Sequence, residues 1–126
     1  MTKNKGDKKM KKLTVLFLMG LFIGGNSFAA ADVVEFHILH GTLKNPWNTV
    51  TTKVETKVGQ VLRIFNDDEI VHRLHTNGSP CAHGPDIAPG KSFDCVLSSP
   101  YSDDKNGSLY DHYVGQTARF YLVTVQ

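Results

Sequence analysis

Between residues 33 and 125 the chain is a succession of short β-branched and aromatic runs, cut by Gly, Pro, Asn and Asp about every ten residues. No stretch carries the period of an amphipathic helix. Residues 33–39, 61–65, 92–97 and 118–125 read as strands, and 49–56 alternates weakly. Residues 70–76 are a further strand candidate, and Leu109 and Tyr110 open a short one. Phe93, Cys95 and Leu97 fall on one face. Residues 41–48, 77–85 and 98–107 read as loops, and Asp67-Asp-Glu69 as a solvated turn. This punctuation leaves an all-β sandwich as the expected architecture, with the last strand inside a sheet.

The first 31 residues stand outside that pattern. Six lysines precede an apolar run at residues 13–23, and small residues follow up to Ala31. That order is a secretory signal peptide, cleaved after Ala29 or Ala31. The apolar run is about half of the ~20 residues that a membrane span needs. The expected organisation is a leader at 1–31 and one domain at 32–126, finished in the periplasm or secreted, with no membrane attachment once the leader is gone. Of 14 Lys and Arg and 12 Asp and Glu, the leader takes six lysines and Asp7. The remaining 8 basic and 11 acidic side chains give a net charge of −3. A domain of that charge has no basic stripe to follow a phosphate backbone, so nucleic acid is excluded as a partner.

Two cysteines, Cys81 and Cys95, enter an oxidising compartment, where a disulfide is the default. The alternative is that Cys81 serves as a free thiolate ligand. All six histidines, His37, His40, His72, His75, His83 and His112, lie beyond the leader. Imidazole is the commonest protein metal ligand, and three of the six cluster between positions 72 and 83. His72 and His75 face opposite ways on a straight strand, as do Asp111 and His112, so each pair offers one ligand to a given ion unless the chain bends. His37 and His40 read as surface strand residues. Motifs of hydrolases, phosphate-binding loops and haem attachment are missing, so binding is expected in place of catalysis.

The segment Thr56-Lys-Val-Gly-Gln-Val-Leu-Arg-Ile-Phe-Asn-Asp-Asp-Glu-Ile-Val-His72 resembles the front half of a cupredoxin of the plastocyanin and azurin type, with His72 in the place of the first ligand. Ile87-Ala-Pro-Gly-Lys-Ser-Phe93 resembles that family's next turn, and residues 110–125 its closing hairpin. The resemblance implies an antiparallel Greek-key β-sandwich and a copper ion. It departs where the family keeps a Cys, a His and a Met before its last strand. Here stand Ser108-Leu-Tyr-Asp-His112 and then Gln116, and no Met follows Met19.

A blue-copper centre needs a thiolate, so this chain reads as a divergent cupredoxin whose copper site is all nitrogen. The expected ligands are His72 and His112, with His75 or His83 as the third and Gln116 as a weak axial neighbour. Asp111 is expected as a ligand or as a partner orienting an imidazole. Copper handling or electron transfer is the implied role, with a redox or copper-transfer protein as partner. The rival reading is a metal-free cupredoxin scaffold that docks a protein partner through its loops.

Overall fold

A computed structural model describes residues 30–39, 45–107 and 109–126. Residues 1–29 of the leader expected at 1–31, and His40, lie outside the described residues. Eight strands are described: β1 (Val33–Ile38), β2 (Val54–Lys57), β3 (Val61–Asn66), β4 (Leu74–His75), β5 (Ser92–Val96), β6 (Leu109–Asp111), β7 (Gly115–Phe120) and β8 (Leu122–Val125). A 3₁₀ turn, Val50–Thr52, takes the first half of the weakly alternating 49–56 run. A one-turn helix, α1 (Asp103–Asn106), sits in the 98–107 loop, with two acidic residues at its positive end. Among the described residues no helix is long and apolar enough to cross a membrane.

One layer is the sheet β1–β3–β5. Its rows follow the two-residue period of a strand. Val34, Leu62 and Cys95 make one inward row, and Phe36, Ile64 and Phe93 the next. Outward, Arg63 holds Asp94 through two hydrogen bonds of 2.7 and 2.8 Å. The other layer consists of β2–β8 and β4–β6–β7, which the chain links at Tyr121. Its Leu74, Leu109, Phe120 and Leu122 join Ile38, Leu62, Ile64 and Cys95 in one buried cluster. Each such side chain contributes about 1.5–3 kcal/mol of burial free energy.

The all-β sandwich stands as expected, but its pairing is mixed. β1 runs parallel to β3, and β2 parallel to β8. The strand expected at 70–76 is also divided. His72 pairs through its backbone with Ile87, while Leu74 and His75 pair with Asp111 and Tyr110. Changing partner between positions 72 and 74 leaves β4 only two residues long.

Asn66 secures this crossing point. The amide is fully buried at the end of β3. Its Nδ2 donates to the carbonyls of Ile70 and Ile87, both at 2.7 Å, and its Oδ1 accepts from the Asp68 backbone at 2.9 Å. Replacing Asn66 with alanine leaves the Ile70 carbonyl and the Asp68 N–H without this partner, each unmet group costing about 1–3 kcal/mol. A loss of roughly 2 kcal/mol in urea unfolding is expected. A change within 0.5 kcal/mol would show that water takes over the bonds.

Candidate metal centre

Strand alternation divides the chemistry of β4 and β6 between two faces. His72, Leu74, Leu109 and Asp111 are buried, while His75 and Tyr110 turn outward as a cross-strand pair, and His112 is exposed. The Tyr110 ring stacks on His75 at 4.4 Å between centroids. The backbone N–H of His112 donates to the Arg73 carbonyl at 2.8 Å, which holds His112 beside β4.

The third ring arrives on the loop after β4. That loop folds back so that the Gly84 N–H donates to Leu74 O at 3.2 Å, and Arg73 Nε donates to Gly84 O at 2.7 Å. A Cβ at Gly84 would stand 3.1 Å from the Phe93 ring, so any larger residue there would have to push that ring aside. Cys81 pairs with Cys95 in a disulfide, which ties the loop to β5. Tyr113 Oη donates to Asp86 at 2.6 Å and closes the loop from its far side.

These constraints gather His75, His83 and His112, whose donor atoms all lie within 4.8 Å of one another. The Nδ1 atoms of His75 and His112 stand 3.4 Å apart. His83 Nδ1 lies against the Thr76 backbone, 3.3 Å from its N and 3.4 Å from its O, which leaves Nε2 as the outward donor. Burial and the neighbouring charge of His83 hold the His75 pKa below the ordinary imidazole value, and the charge of His112 adds to this against an opposing hydrogen bond to Asn77. A lowered value keeps the lone pair of His75 free near neutral pH, the form that a metal requires.

His72 does not join them. Its ring is fully buried. Nδ1 faces Asp111 Oδ2 at hydrogen-bond distance, and Nε2 faces Asp68 Oδ2 at 2.9 Å. Carboxylates only accept, so both bonds form when the ring is an imidazolium, which has no lone pair for a metal. Burial pushes the His72 pKa down, but the hydrogen bonds it donates to Asp111 and Asp68, and their charges, outweigh it and hold it above the ordinary value.

The expected pairing of His72 with His112 is therefore replaced by that of His75 and His83 with His112. Asp111 holds His72 and is not among the groups gathered with His75, His83 and His112. Asp68, read from sequence as part of a solvated turn, is buried against the same ring. Gln116 lies on β7, where its Oε1 accepts from Arg119 Nε at 3.3 Å. His37 stays on the surface, bonded to Asp67 at 2.6 Å and stacked on Phe65.

Compared with protein families and with curated proteins, the chain matches none. Solved structures do resemble it. A purple cupredoxin from Nitrosopumilus maritimus superposes with a TM-score of 0.52 at 16% identity, over 72% of this chain and 98% of that one. An oxidised amicyanin variant gives 0.50 at 14% identity, over 79% and 87%. A second amicyanin variant, in its Cu(I) form, gives 0.51 at 12% identity, over 73% and 81%. The fold is cupredoxin-like. Such low identities make the chain a divergent bearer of it, and the centre departs accordingly. Both cysteines are consumed by the disulfide, so the thiolate alternative falls and a blue-copper donor set does not fit this cupredoxin-like domain. The donor set does fit an ion that accepts three imidazoles, with His75, His83 and His112 as its holders.

Proposed function

We propose that this is an exported copper-binding protein of the cupredoxin-like fold, working in copper handling through His75, His83 and His112. The convergence of three imidazole donors from β4, the following loop and the end of β6 is the observation that carries the reading. Copper comes from the solved neighbours, one of which is described in its Cu(I) form. Handling is favoured over fast electron transfer because no thiolate couples the ion electronically to the chain. The ion would sit at the surface, where a copper-transfer partner reaches it. The leader-like segment at 1–31 supports a periplasmic or secreted site of action.

The test is titration of the purified protein with Cu(II), followed by calorimetry and by electron paramagnetic resonance for coupled nitrogens. One ion per chain is expected, without the intense visible band of a thiolate. Disturbing a ligand's outer partner alone costs about 10–100-fold in affinity, so His83→Ala and His112→Ala are expected to lose about 100-fold or more. His37→Ala, on the outer face of β1, serves as the unchanged control. Equal, weak uptake by the wild type and the His75/His83/His112 triple alanine variant would sink the reading and favour the metal-free docking scaffold.

A further inference from the structure

The arrangement of the three rings also bears on the coordination geometry that a bound ion would meet. Their centroids form a nearly equilateral triangle, with sides of 4.8 Å for His75–His83, 5.1 Å for His83–His112 and 5.6 Å for His75–His112. An imidazole bound at about 2.05 Å sets its centre ~3.2 Å from the ion, and three such centres at tetrahedral angles lie ~5.2 Å apart. Three positions of a square plane instead give two sides of ~4.5 Å and one of ~6.4 Å. The Nδ1 atoms of His75 and His112 repeat the choice. Their 3.4 Å separation matches the ~3.3 Å of a tetrahedral pair, whereas adjacent corners of a square plane are ~2.9 Å apart.

We infer that the site is a three-imidazole cap shaped for a tetrahedral ion, takes Zn(II) as well as copper, and leaves the fourth position exchangeable. Zn(II) has no geometric preference of its own and accepts three histidines and a water. Cu(II) prefers a tetragonal arrangement, so this triangle erodes the affinity advantage that Cu(II) ordinarily holds over Zn(II). Among the described residues, no Asp, Glu or Cys joins the three histidines as a fourth donor. Tyr110 backs His75 and Tyr113 stands edge-on to His112 at 5.7 Å, while His112 itself is exposed, which leaves the open side toward solvent.

This inference rests on the reading of the three histidines as a metal site, and cobalt separates the two. Co(II) replaces Zn(II) and reports coordination number by its colour. The purified protein with one equivalent of Co(II) is expected to show the intense visible bands of a four-coordinate ion. One equivalent of Zn(II) should bleach them, and azide should shift them by taking the open position. His112→Ala, an exposed change, should abolish the bands while leaving the metal-free melting temperature in place. A weak six-coordinate cobalt spectrum, with Cu(II) binding still dependent on His112, would overturn the tetrahedral cap and spare the copper reading. Cobalt and copper binding that both ignore the histidine variants would overturn both.

Discussion

Replacing His72 with alanine is expected to cost the fold about 3–5 kcal/mol, the range for removing one partner of a buried ion pair. The loss follows from what stays behind. Asp68 and Asp111 are buried at 6% and 1% exposure, and each directs an oxygen at the same ring. Without the imidazolium two carboxylates face a cavity edged by Trp47, whose ring meets His72 at 5.9 Å. Urea unfolding checks the figure, and a loss below 1 kcal/mol would show that the carboxylates find water or protonate cheaply.

The pH dependence of this contribution has a definite sign. The His72 pKa is raised in the folded state by Asp111 and Asp68 against the opposing effect of burial. Its stabilisation is therefore present in full below the ordinary imidazole value of about 6.5 and is lost as pH rises through the higher folded value. The stability gap between the wild type and His72→Ala is expected to be widest in mild acid and to narrow toward alkaline pH. A gap that widens with rising pH would mean that the ring is buried neutral. Asp111→Asn should flatten the profile while keeping the bond that Asp111 Oδ1 accepts from the Tyr113 backbone.

The same residues mark how far the sequence could be read. Period-two alternation separated His72 from His75, and Asp111 from His112, and the structure keeps both separations. Alternation does not say which member of each pair turns inward. That depends on what the other strands supply, and here a carboxylate from the 67–69 turn and another from β6 meet in the interior. Asp68 was illegible for this reason: beside Asp67 and Glu69 it looks like any solvated turn residue, and only the bend after Asn66 buries it. The resemblance that put His72 in a ligand position placed its backbone in the fold but could not reveal its hydrogen-bond partners. Parallel pairing of β1 with β3 and of β2 with β8 was equally hidden, since strand runs carry burial and turn signals but not the direction of a distant neighbour. The cysteine pairing was legible because chemistry in an oxidising compartment restricts two cysteines to few fates.

Converting Cys81 and Cys95 to serine is expected to weaken both the fold and the metal site, by different routes. The cross-link spans a sequence separation of 14, and closing a loop of that size is worth about 3 kcal/mol in the chain-entropy model. Cys95 also lies in the core opposite Leu62, where a serine hydroxyl would need a partner. The effect on metal binding comes from the other end of the bridge. His83 stands two residues after Cys81, and its loop is anchored there, at Gly84 and at Asp86. His75 and His112 are fixed by β4 and β6 whether or not the bridge is present. Loss of the anchor should let His83 leave, turning a three-imidazole site into a two-imidazole one. A drop in Cu(II) affinity of about tenfold or more is expected, measured below the variant's melting temperature. The affinity of a Cys81/Cys95→Ser, His83→Ala chain should then match that of His83→Ala alone, because both routes remove the same ligand. Unchanged affinity in the folded serine variant would show that the Gly84 and Asp86 contacts hold the loop unaided, and would confine the disulfide to stability.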